Sequence, residues 1–82
     1  LTPSFIAKAK KLCRKDPLLN DSLAKQFSLF QNNSRHPSLK LHKLTGKRTN
    51  QCAIWIRGDL RALSIKENET YIFFDLVTHD QY

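Results

Sequence analysis

Eighty-two residues allow one small domain, and a chain of this length buries only about 60–65% of the surface it exposes when unfolded. Hydrophobic residues at 40%, charged residues at 26% and a complement of five Phe, two Tyr and one Trp exclude a disordered linker, and no apolar run approaches the ~18–20 residues of a membrane-spanning helix. Fourteen Lys and Arg against seven Asp and Glu give +7, and the excess is one-sided: residues 1–50 carry +9 and residues 51–82 carry −2.

Such an asymmetry suits a polyanion, nucleic acid above all, approached from one side; it equally suits a solvated basic helix face. No signal-peptide pattern opens the chain, and its start at Leu1 rather than Met leaves room for residues ahead of it. Cys13 and Cys52 are too sparse for a disulfide scaffold and lack zinc-ligand spacing. Both fall in apolar pattern, so buried free thiols in a reducing cytoplasm are expected.

Thr2-Pro3 is a helix start, with a hydroxyl to cap and a proline at the first helical position. Phe5, Ile6, Ala9, Leu12 and Cys13 then follow helical spacing, predicting a helix over about 3–15 with a basic remainder. Asp16-Pro17 breaks it and opens a second helix over about 17–31, in which Leu19, Leu23, Phe27 and Phe30 share a face and Asn32-Asn33 marks the end. After residue 38 the period becomes two. Strands are predicted over about 39–44, 51–57, 60–66 and 70–77, with turns at Gly46, at Gly58-Asp59 and at 66–69. A helical hairpin followed by a meander of strands is an α+β arrangement.

Several residues carry candidate chemistry. Imidazole gives or takes a proton near neutral pH, so His42 and His79, at the edges of one sheet, suit acid–base work; each suits a local hydrogen bond equally well. His36, before Pro37, reads as a surface loop residue. Arg61 has the sheet parity of Leu63 and Ile65, where a guanidinium needs an anion: Asp59, Asp75 or a substrate phosphate. Trp55 suits either base stacking or packing. Lys40, Lys43, Lys47 and Arg48 form a basic run beside His42, and phosphate anchors beside a proton-transfer group are what phosphodiester cleavage requires. There is no glycine-rich phosphate loop, and the carboxylates are too scattered for a two-metal nuclease, so a nucleic-acid enzyme built on this chain is expected to need no metal and no cofactor.

The segments His36-Pro37-Ser38-Leu39-Lys40-Leu41-His42-Lys43-Leu44-Thr45-Gly46, Gly58-Asp59-Leu60-Arg61-Ala62-Leu63 and Thr78-His79-Asp80, in this order behind a helix pair, resemble the RelE/ParE toxin superfamily, and most of all its YafQ-type messenger-RNA interferases. The resemblance covers nearly the whole chain. It implies a helical hairpin packed on a twisted antiparallel sheet, and a cytoplasmic toxin of a type II toxin–antitoxin pair. Such a toxin is a ribosome-dependent endoribonuclease that cuts messenger RNA in the A site by 2′-hydroxyl attack. Carried over residue by residue, His42 and His79 match the two catalytic histidines, without a choice of which is base and which acid. Asp59 matches a functional aspartate, Arg61 the arginine that meets the scissile phosphate in the RelE branch, and Tyr82 the terminal aromatic. Lys40, Lys43, Lys47, Arg48, Trp55 and Arg57 are then the expected RNA-binding residues. The implied partners are the ribosome with its messenger RNA and an acidic, DNA-binding antitoxin, with no membrane.

The departures from the family pattern are specific. Members usually begin with a β-strand ahead of the first helix, whereas Leu1 leads straight into the helix cap; that strand is expected to lie outside this chain or to be missing, leaving an open sheet edge. Val77 replaces the usual glycine before Thr78-His79, Tyr82 follows the histidine by three positions instead of four, and Trp55 stands where some YafQ-type members carry a further histidine. The alternative on the same scaffold is a non-catalytic binder, either a ParE-like gyrase inhibitor or a degenerate toxin that only binds its antitoxin.

Overall fold

The structure, a computed structural model, describes residues 1–44 and 50–78. Helix α1 runs Pro3–Lys15, with Thr2 as its cap: the Phe5 N–H donates to the Thr2 hydroxyl at 3.2 Å. It stops at Asp16, whose N–H donates to the Leu12 carbonyl, and Pro17 forbids continuation. Helix α2 runs Leu18–Asn32 without a side-chain cap, because its cap residue, Pro17, has no side-chain acceptor. A 3-10 turn, Pro37–Leu39, leads into β1 (His42–Lys43), β2 (Gln51–Arg57), β3 (Leu60–Glu67) and β4 (Thr70–Thr78). The strands form one antiparallel sheet in the order β1-β2-β3-β4, so every neighbour in space is a neighbour in sequence.

Both helices pack on one face of this sheet. Phe5 from α1, Leu19 and Leu23 from α2, Leu39 from the turn, and Ile54, Ile56, Ala62, Phe73 and Leu76 from the strands form the main core. Aromatic rings meet edge to face at its centre: Phe27 on Phe73 at 4.9 Å, Phe30 on Phe73 at 5.3 Å and Phe5 on Phe27 at 5.8 Å between centroids. Helix α1 is tied to the outer strand β4 by the Thr2 N–H, which donates to the Phe73 carbonyl at 3.0 Å, and by the Lys8–Asp75 ion pair at 2.9 Å. The other face carries a smaller apolar floor of Leu44, Ala53, Leu63 and Val77, with Phe74 against it.

Three expectations are corrected. The strand expected over 39–44 shrinks to His42–Lys43. Residues 37–39 close a 3-10 turn, and Lys40 sits in the left-handed region at φ 50°, ψ 41°, which no strand tolerates. The alternation of Leu39 and Leu41 comes from both packing into the main core, not from extended backbone. Ile6, expected in the core stripe, is 41% exposed and lines a groove of about 330 Å³ between the helices with Leu1, Ala9 and Phe27. Cys13 is only half-buried, while Cys52 is buried; both are free thiols.

Candidate functional site

The sheet register builds the site. His42 pairs with Ala53, Ala53 with Leu63, Trp55 with Arg61, and Arg61 with Val77, so these side chains share the face away from the helices. Trp55 is thus the diagonal neighbour of His42, at about 7–8 Å by sheet geometry, with Arg61 directly beyond it on β3. The β2–β3 hairpin holds this row in place. Gly58, at φ 53°, turns its carbonyl toward both side chains: the Trp55 indole N–H donates to it at 2.8 Å and the Arg61 Nη1 at 3.2 Å. Arg61 Nη1 also reaches the Leu60 carbonyl at 3.3 Å. Carbonyls orient a guanidinium but do not neutralise it. Among the described residues no carboxylate pairs with Arg61, and Asp75, one partner considered from sequence, is taken by Lys8.

His42 is exposed on β1. Its Nδ1 lies 2.9 Å from the Lys40 carbonyl, an atom that can only accept, so the ring donates from Nδ1. In the neutral ring Nε2 is then the basic nitrogen. That carbonyl is aimed by the left-handed backbone of Lys40, whose ammonium stands 5.2 Å from the centre of the Trp55 ring. Lys40 therefore touches both aromatic members of the row, one through its backbone and one through its side chain.

The remaining expected residues are placed as follows. Lys43 is exposed on β1 opposite Cys52, one residue out of phase with His42. Arg57 is not brought to the row. Its Nη1 lies 3.0 Å from Asp16 Oδ2 at the helix hairpin, shielded from solvent and without hydrogen-bond alignment, so the contact is Coulombic rather than directed. Asp59 is exposed at the hairpin tip and lines a concavity of about 330 Å³ with Leu12, Lys15, Asp16 and Arg57. It lies six positions along the chain from Ala53, the partner of His42, beyond the far end of β2. Lys47, Arg48, His79 and Tyr82 lie outside the described residues. Among the described residues no cluster of three or more His, Cys, Asp or Glu forms that could hold a metal ion, and no helix is long and apolar enough to cross a membrane.

No protein-family model and no curated protein matches the sequence. The crystal structure of YafQ from E. coli strain BL21(DE3) superposes with a TM-score of 0.74 at 18% identity, covering 98% of this chain and 90% of that one. This is the YafQ fold. A second similar structure is the solution structure of HP0894, a conserved hypothetical protein from Helicobacter pylori, with a TM-score of 0.58 at 21% identity, covering 96% of this chain and 90% of that one. The expected α+β architecture, a helical hairpin on an antiparallel sheet, is therefore observed and is shared with YafQ.

On this YafQ-like scaffold one supporting residue escaped the sequence reading. Gln26 is buried, and its Nε2 donates to the Trp55 carbonyl at 2.9 Å and the Ser38 carbonyl at 3.3 Å, tying α2 to β2 and to the 3-10 turn. The signal was present: Gln26 is a polar residue three positions after Leu23 and next to Phe27, on a face that is otherwise apolar.

Proposed function

We propose that the protein is the toxin of a type II toxin–antitoxin pair, a metal-independent endoribonuclease that cuts messenger RNA in the ribosomal A site. The observation that carries this reading is the row His42, Trp55, Arg61 on the sheet face away from the helices, with the Arg61 charge unmet by any described carboxylate. The ordered sequence segments and the YafQ fold support it.

In this reading the RNA 2′-hydroxyl attacks its own 3′ phosphorus. His42 takes the hydroxyl proton at Nε2, the nitrogen left basic by the Nδ1–H bond to Lys40. Negative charge grows on the phosphorane oxygens, and Arg61, pre-oriented by two carbonyls, meets it without reorganising. His79 then protonates the departing 5′ oxygen, leaving a 2′,3′-cyclic phosphate and a 5′-hydroxyl. Trp55 supplies a ring face for a base, steadied through its N–H. Asp59, exposed at the hairpin tip, and Tyr82 keep in this reading the functional roles that the resemblance gives them. The +9 of residues 1–50 attracts ribosomal RNA, and an acidic antitoxin competes for it.

The test is cleavage of messenger RNA in a reconstituted translation reaction, mapped by primer extension. Codon-phased cuts are expected, reduced about 10²–10⁴-fold in His42→Ala and in His79→Ala with folding unchanged. Folded protein that makes no cuts overturns the nuclease reading. Growth arrest that survives His42→Ala points to the non-catalytic binder instead.

A further inference from the structure

Where α2 gives way to the 3-10 turn, Arg35, His36, Pro37, Lys40 and Leu41 enclose a polar concavity of about 270 Å³. We infer that this concavity binds a phosphodiester of single-stranded RNA, one that flanks the phosphate at His42; the choice of RNA as ligand rests on the proposed function.

The lining chemistry points to an anion. Arg35 contributes a guanidinium and Lys40 an ammonium, no carboxylate lines the concavity, and among the described residues neither cation is paired with one. Among the described residues the ion pairs join Lys8 to Asp75 and Arg57 to Asp16, well separated in sequence from this segment. His36 adds a donor by elimination. Its Nδ1 accepts the Ser38 N–H at 3.2 Å, with the Ser38 hydroxyl 3.0 Å away, so the neutral ring carries its proton on Nε2. What the ring can offer a ligand is therefore an N–H. Lining residues that bring a guanidinium, an imidazole N–H and an ammonium, with no carboxylate among them, suit a phosphate.

Size and continuity narrow the ligand. The volume lies just below the ~300 Å³ at which pockets for whole drug-sized molecules begin, which suits one sugar-phosphate unit with Pro37 and Leu41 against the ribose. Lys40 is shared between the concavity and the catalytic row, since its ammonium stands over the Trp55 ring and its carbonyl holds His42. A strand with one phosphate in the concavity can lay the next base on Trp55 and bring the following phosphate toward His42 and Arg61. A phosphodiester chain fits this layout because its charges repeat along an extended backbone, and Lys40 belongs both to the concavity and to the row.

Binding is measured with a fluorescent 2′-O-methyl oligoribonucleotide, which lacks the attacking hydroxyl and cannot be cut, using the full chain across a salt series. Arg35→Gln is expected to weaken binding about 5–10-fold at low salt and to lower the slope of log affinity against log salt by about 0.7, the value for one lost contact on a single strand. Arg35→Gln with His36→Gln weakens it further, whereas Lys11→Gln on α1, which removes the same charge elsewhere, leaves the slope within error. Equal effects from Arg35→Gln and Lys11→Gln overturn the proposal. So does an acidic peptide that binds through Arg35 while RNA binding ignores it, an outcome that assigns the concavity to a protein partner. Because among the described residues Arg35 hydrogen-bonds only through its backbone N–H, which donates to Asn33 Oδ1, its variant is the one that stands if His36→Gln disturbs the turn. Failure of the nuclease reading is seen separately, as intact binding of this RNA with no cleavage of ordinary messenger RNA.

Discussion

Gly58 shows how much of the site rests on one backbone angle. A Cβ at this position would meet no atom within 4 Å, so the glycine is required for its φ of 53° and not for space. Gly58→Ala is expected to cost about 1–2 kcal/mol, all of it conformational, and to loosen Trp55 and Arg61 together because both donate to the Gly58 carbonyl. Gly58→Asn should recover most of that loss, since Asn tolerates the left-handed region; urea midpoints of the two variants check the difference. Gln26 is the second such residue. Gln26→Leu leaves the Trp55 and Ser38 carbonyls without their donor and should cost about 1–3 kcal/mol, with amide exchange accelerating first in residues 37–43. At this scale the sequence is unevenly legible. Gly58-Asp59 announces its turn, because glycine is the residue a positive φ calls for. Lys40 adopts the same region without any composition signal, held by the 3-10 turn before it and the His42 and Trp55 contacts after it.

Among elements, the helices are the legible ones. Thr2-Pro3 and Asp16-Pro17 carry their own start and stop chemistry, and the stripe Leu19, Leu23, Phe27, Phe30 reaches the core it predicts. The two long hairpins are legible for the same local reason. Strand β1 is not, since two residues of pairing give almost no periodicity and the alternation of Leu39 and Leu41 reflects burial from a turn. What the elements share is the aromatic centre, in which Phe73 of β4 meets Phe5, Phe27 and Phe30. Phe73 is 3% exposed, and Phe73→Ala is expected to remove about 3–5 kcal/mol, a large part of the ~5–15 kcal/mol that holds a small domain together. Chemical denaturation should show the lowered midpoint. The Lys8–Asp75 pair on the same elements is roughly 40% exposed on both sides and contributes little beside it.

For the molecule as a whole, charge asymmetry pointed to a polyanion from composition alone, and the register explains what composition could not. Arg61 is far from His42 in sequence and becomes its near neighbour only through two strand pairings. The same pairings run in chain order, each strand beside the one just made, whereas α1 finds its partner in β4, through Thr2 on Phe73 and Lys8 on Asp75. During biosynthesis, therefore, the helical hairpin emerges with its apolar face unpaired, and helices and hairpins of this length are marginal by themselves. Neither the core nor the His42, Trp55, Arg61 row is fixed until residues 70–78 have left the ribosome. A chain proposed to attack ribosomes is in this way unarmed toward the one still making its outer strand.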